Sequence, residues 1–275
     1  MGGKNNKLKE LVNSSGFPFQ LAVENEIQSI SSQTPWSIIA REHPWRNIND
    51  EEEGFIDLLI GYGTVRLVLE CKRPRGGLWV FLISDKRQES VKRFRVCWAH
   101  CKPNRSDLLE WSDFNITPVS PESEFCIIRG QGENKKPLLE RLGRYVLSST
   151  EAMATEELNL IRSSQIDHLR LLIPVIVTSA ELKICKISPE EISVSDGTIT
   201  DSEFKTVPWV RFRKSIAVSE VGYSKLEELS EVTEKKERSL FVINSSHLSD
   251  FLKKWDFSPS SSFNLPWVLA RQFED

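Results

Sequence analysis

Cysteine is scarce in this 275-residue chain: there are five, an odd number, at positions 71, 97, 101, 126 and 185. That count and spacing exclude a disulfide framework and predict free thiols in a reducing cytoplasm. Cys97, His100 and Cys101 form a C-x-x-H-C cluster, but no second Cys/His pair follows, so a structural zinc site is not expected. Long apolar runs are also missing. The longest, LLIPVIV at 171–177, is too short to cross a bilayer, which predicts a chain with no membrane partner. The start, MGGKNNKLKELVNSSG, is polar throughout and carries no secretory signal, and Asn6 stands where a myristoylation motif needs Ser or Thr. A large excess of either charge is missing too. A net charge of −3 argues against a generic polyanion binder, so the distribution of charge matters more than its sum. Pro-Trp occurs four times but with no constant period, which excludes a repeat array.

What is present is concentrated in FIDLLIGYGTVRLVLECK, residues 55–72. Positions 55–60 and 65–69 are apolar, β-branched or aromatic nearly throughout, except for Asp57 and Arg66, and Gly61 and Gly63 punctuate the gap. This reads as a β-hairpin. A two-residue Gly63-Thr64 turn pairs Tyr62 with Val65 and sets Asp57 directly opposite Glu70. A Tyr62-Gly63 turn sets Asp57 diagonal to Glu70 on the same face, whereas a three-residue loop separates them onto opposite faces. A shared site therefore requires an even loop. Lys72, two residues beyond Glu70, shares its face. Two opposed carboxylates repel each other. Hard oxygen donors at that spacing suit Mg²⁺ or Mn²⁺, which takes one or two carboxylates together with water and phosphate oxygens. A nearby lysine then orients water or balances phosphate charge, and the chemistry implied is phosphodiester hydrolysis.

At these residues the chain resembles the PD-(D/E)xK, or restriction-endonuclease-like, superfamily, whose pattern is an acid on one strand and Glu-x-Lys on the next, here Asp57 and Glu70-Cys71-Lys72. Ile56 stands where many members have proline. Members often add a glutamate from the helix before the hairpin. The matching segment is PFQLAVENEIQSI, 18–30, with Phe19, Val23, Ile27 and Ile30 as its apolar stripe. Val23-Glu24 followed by Ile27 is similar to the Phe-Glu-x-x-Val of Mrr-like members, which favours Glu24 and leaves Glu26 open. The resemblance implies a metal-dependent nuclease with catalytic Asp57, Glu70, Lys72 and Glu24, metal ligands Asp57, Glu70 and Glu24, and Mg²⁺ or Mn²⁺ as cofactor. It implies DNA more often than RNA, and a setting in prokaryotic restriction or antiviral defence. The expected fold is α/β (α+β mixed), a restriction-endonuclease-like core with a central mixed β-sheet flanked by helices and a C-terminal extension. The resemblance covers roughly 17–187, with motifs only at 18–72.

Ten Lys or Arg against Asp85 and Glu89 give the 72–105 stretch a balance of +8, while 42–57 carries six acids and Arg46, a balance of −5. Positive charge beside a carboxylate cluster is what attracts phosphate to a site that otherwise repels it. Arg73, Arg75, Lys86, Arg87, Lys92 and Arg93 are the candidate nucleic-acid contacts from this block. Arg211 and Arg213, alternating with Val210 and Phe212, are two more. An amphipathic basic helix at 88–100 and an exposed basic strand at 208–218 are the duller accounts of the same residues. Further expectations are a helix near 18–31, strands near 36–42 and 125–130, a strand or connector at 76–84, an irregular excursion at 102–124, a helix from 137 to about 162 interrupted near Gly143 or Ser148, and two strands within 169–187. Pro174 is expected at an edge or bulge. Residues 1–187 are assigned to the nuclease domain and 188–275 to an extension or subdomain, packed on the same core or apart from it. Two other functions remain in view: a non-catalytic nucleic-acid-binding or assembly module retaining the fold, and an effector silent without a protein partner or homodimer.

Overall fold

The computed structural model describes residues 2–47, 52–74, 77–86, 88, 90–101, 108–130, 137–164, 168–199, 201–216 and 229–257. In chain order the helices α1 (Gly2–Ser14) and α2 (Phe17–Ser29) precede strands β1 (Ser37–Arg46), β2 (Glu53–Tyr62) and β3 (Val65–Lys72). Then come β4 (Leu78–Ser84), β5 (Val91–Cys101), β6 (Leu108–Ser120), the two-residue β7 (Glu122–Ser123) and β8 (Phe125–Ile128). The 27-residue helix α3 (Leu138–Ser164) leads to β9 (His168–Thr178), β10 (Glu181–Ile187), β11 (Glu203–Thr206) and β12 (Trp209–Ser215). Last are α4 (Leu229–Lys235), β13 (Glu237–Asn244), α5 (Leu248–Lys253) and β14 (Asp256–Phe257).

The architecture is a mixed sheet flanked by helices. A ten-stranded sheet runs β1-β2-β3-β9-β13-β12-β7, with β5 pairing to both β9 and β6, and β14 to β6. β1, β2 and β3 form an antiparallel meander, after which β9 lies parallel to β3 and β13 parallel to β9. A second sheet, β11-β10-β4-β8, packs over the β12–β13 region through Trp79, Phe81, Ile176, Leu182, Val210, Leu240 and Val242. Alternation along β3 assigns the two faces. Leu67 and Leu69 join Val23 and Ile27 of α2, and Val68 joins Leu59 of β2 with Met153 and Ala154 of α3. The helices α2 and α3 thus cover opposite sides of the meander. Among the described residues, no helix is long and apolar enough to cross a membrane.

Several expectations change. The basic helix at 88–100 is instead strand β5, because Phe94, Val96 and Trp98 enter one core while Cys97 and Ala99 enter others, and burial on both faces erases the alternation that marks a strand. The irregular excursion contains the 13-residue strand β6, with Pro118 lying in the stretch where the β5–β6 register shifts. Helix α3 continues through Gly143 and Ser148. The polar leader includes helix α1. Pro174 lies in a central strand, opposite Val68. On the other side of β9 the pairing with β5 ends at Leu172 and that with β13 starts at Val175, and the Leu171 N–H points to β3, so Pro174 lacks its N–H where no acceptor strand is present. Strands β12 and β13, beyond residue 188, belong to the same sheet as β1–β3.

Candidate active site

The hairpin positions the acids. Tyr62 pairs with Val65 and Leu58 with Leu69, so the loop is the even Gly63-Thr64 turn, with Gly63 in the left-handed region at φ 54. One step past Leu58 and Leu69, Asp57 and Glu70 face each other across the end of the ladder. The strands stop exchanging backbone bonds there, and the Asp57 carboxylate takes over, its Oδ2 accepting the Cys71 N–H at 2.6 Å. Glu70 is buried, with 5% of its surface exposed, and Lys72 Nζ sits 2.5 Å from its Oε1. The ammonium itself is more open, at 39% side-chain exposure. One acid is thus fixed by backbone, the other by a lysine at the solvent boundary.

Electrostatics set the character of this group. Burial, then the Asp57 charge, pushes the Glu70 carboxyl up to about 7. Burial likewise raises Asp57, with the Cys71 N–H and Lys72 opposing it. For Lys72 burial opposes the charged form, but Glu70 and Asp57 outweigh it and hold the ammonium above its ordinary value. Cys71, between Glu70 and Lys72 in sequence, has its thiol raised well up, by burial first and by Asp57 and Glu70 after it. Two carboxylates with one compensating cation leave the patch short of positive charge, and that deficit on hard oxygen donors fits a divalent cation. Among the described residues, no set of three or more His, Cys, Asp or Glu is gathered closely enough to hold a metal. The carboxylates that face each other across this hairpin are the pair Asp57 and Glu70.

The remaining candidates are placed as follows. Glu24 Oε1 accepts from Arg41 Nε at 2.6 Å and from Gln28 Nε2 at 3.1 Å. Glu26 accepts from the Ser249 hydroxyl. From α2, the Gln20 side chain hydrogen-bonds to the hairpin, its Nε2 donating to the Asp57 carbonyl at 3.2 Å and also to Glu42 of β1. Tyr145 of α3 also reaches it, accepting the Phe55 N–H at 3.0 Å and donating to the Phe55 carbonyl at 2.9 Å. Neither Gln20, Glu42 nor Tyr145 was picked out from the sequence. The only hint was that Glu42 opens the acidic stretch 42–57.

The basic candidates do not form one open surface. Arg211 and Arg213 share a face of β12 as expected, but that face is interior, which corrects their assignment as phosphate contacts. Arg211 is fully buried and donates to the carbonyls of Val91, Arg93, Ile116 and Pro118. Arg213 is bound to Asp113 at 2.8 Å and to Glu237 at 2.5 Å. Arg93 pairs with Asp113 at 2.7 Å, and Lys86 with Glu190 at 2.5 Å. Arg73 is exposed and donates to the Asn13 carbonyl at 2.8 Å, while Lys92 is exposed on β5. Arg75 and Arg87 lie outside the described residues. Comparison of the chain with protein-family models, curated proteins and solved structures finds no match.

Proposed function

We propose that this protein is a metal-dependent nuclease that hydrolyses phosphodiester bonds in DNA. One observation carries the reading: Asp57 and Glu70 meet across a two-residue hairpin, with Lys72 against Glu70. The order α2, then antiparallel β1-β2-β3, supports it further, being the helix-strand-strand-strand order expected of a restriction-endonuclease-like core.

Asp57 and Glu70 are the residues that would hold Mg²⁺ or Mn²⁺. When bound there, such an ion supplies Lewis acidity toward a phosphoryl oxygen and acidifies water at neutral pH. The chain's own groups do the positioning. Asp57 is locked in place by the Cys71 N–H, so its free lone pairs keep one direction. The Lys72 ammonium, kept charged by the two acids, would hydrogen-bond to the attacking water or to a phosphate oxygen and offset charge developing on the phosphoryl oxygens. Arg73, exposed and next to Lys72 in the chain, is the cation this reading assigns to a neighbouring backbone phosphate.

The test is incubation of the purified chain with plasmid and single-stranded DNA in Mg²⁺, Mn²⁺ or EDTA. Metal-stimulated cleavage that is abolished in Asp57→Ala and Lys72→Ala is expected. Unchanged cleavage by both variants overturns the assignment. DNA binding without metal-stimulated cutting supports instead a binding or assembly module built on the same fold.

A further inference from the structure

The β1–β2 register adds a residue to the row of acids. Arg41 pairs with Leu58 and His43 with Ile56, so Glu42 lies across from Asp57, as Asp57 lies across from Glu70 on the other side. A single row thus crosses three neighbouring strands. Neither step of that row is closed by ladder pairing. Instead, Gln20 reaches down from α2 with one amide nitrogen, donating to the Glu42 carboxylate and to the Asp57 carbonyl. Glu42 is the one non-glycine with positive φ among the described residues, at 46°. An L-residue in that region is held at a cost of about 1 kcal/mol or more, so surrounding contacts must over-determine it. β1 is the edge of the sheet and Glu42 is exposed, so its carboxylate borders the open side of the site.

We propose that Gln20 and Glu42 are positioning residues of this site: Gln20 ties the Glu42 carboxylate to the Asp57 backbone, and the third negative charge so placed strengthens binding of a divalent cation by Asp57 and Glu70. This rests on the nuclease reading. Glu42 is not a ligand; it acts through the field it adds and through the strand it helps to hold.

The experiment measures Mn²⁺ affinity of the full chain directly, by the loss of the free-ion electron paramagnetic resonance signal on titration. No cleavage readout is needed. Glu42→Gln is expected to weaken Mn²⁺ binding about tenfold, the scale of one charge lost near a divalent ion, with the melting temperature in EDTA unchanged. Gln20→Leu is expected to weaken it several-fold, and Glu42→Asp to recover most of the loss caused by Glu42→Gln. Should Glu42→Gln fold poorly, Glu42→Asn gives the same reading, because asparagine tolerates the left-handed backbone. Wild-type affinity in Glu42→Gln or Glu42→Asn, alongside lost binding in Asp57→Asn, overturns the positioning role and leaves the nuclease reading standing. A wild-type chain that binds no Mn²⁺ at millimolar concentration overturns both.

Discussion

Glu70 carries the clearest pH signature. Its carboxyl is held at about 7 in the folded chain against an ordinary value of 4.5, by burial first and by Asp57 second. A carboxyl whose folded pKa lies above its unfolded value stabilises the fold while protonated, so that contribution is present below pH 4.5 and is lost as pH rises through 7. Asp57 shifts in the same direction. Asp113, held low by Arg93 and Arg213 despite its burial, acts only below its ordinary 3.8 and does not oppose this window. Urea unfolding in EDTA is therefore expected to show lower stability at pH 8 than at pH 5, by on the order of 3 kcal/mol. Glu70→Gln should flatten that slope, and Mn²⁺ should reverse it in the wild type. Arg211 makes the opposite kind of contribution. Its guanidinium bonds four carbonyls and stacks near Phe94 and Phe241, at 5.8 and 5.2 Å from their ring centroids. Burial lowers its pKa only to about 10, so it stays charged at neutral pH. Arg211→Met is expected to cost more than about 3 kcal/mol in the same unfolding measurement, and Arg211→Lys to recover little, because one ammonium cannot serve that fork of acceptors.

Among the elements, the hairpin was legible because three local signals agree: β-branched runs, a glycine at the turn, and an acid on each arm. Its register was not, because Gly63 is compatible with a Gly63-Thr64, a Tyr62-Gly63 or a three-residue loop, and the Tyr62–Val65 pairing selects the first. β5 was not legible as a strand. KRFRVCWAH offers apolar residues at both parities, and only the two cores that take Trp98 and Cys97 from opposite sides explain why. Glu42 was hidden for a related reason: the stretch joining β1 to β2 carries no short glycine turn like that of the β2–β3 hairpin, so the residue across from Asp57 cannot be read from letters. β2 and α3 depend on a close approach that the sequence does not announce. A Cβ on Gly54 would stand 2.3 Å from the Tyr145 hydroxyl and 3.0 Å from two of its ring carbons, so β2 can meet α3 there only without a side chain. Gly54→Ala is expected to lose about 1–3 kcal/mol of stability through overpacking. Pairing it with Tyr145→Phe removes the nearest atom, so the double variant should be less destabilised than the sum of the singles. Additive losses in chemical denaturation would refute the contact as the cause.

For the whole molecule, the question is whether the C-terminal third is an appendage or part of the core. β13 lies between β9 and β12, and Leu240, Phe241, Val242 and Ile243 are each buried, Phe241 and Ile243 on the α2 side and Leu240 and Val242 against the second sheet. α5 seals the same end. Trp36, just before β1, donates its indole N–H to the Leu252 carbonyl at 3.2 Å and meets Trp255 edge-on at 5.5 Å between centroids. Arg211 ties β12 back to β5 and β6. Contacts of this kind join distant parts of the chain and give neither part a complete surface of its own. β9 would lose its partner along 175–178, and the face of β3 that carries Leu67 and Leu69 would lose its shared cluster with Phe241, Phe251 and Trp255. The prediction is that a chain ending at residue 207 shows no cooperative thermal transition and is cut rapidly within β9 by a nonspecific protease, whereas the full chain unfolds in one step. An independently folded 1–207 fragment with a sharp melting transition and intact Mn²⁺ affinity would instead make the segment from β12 to β14 a separable module.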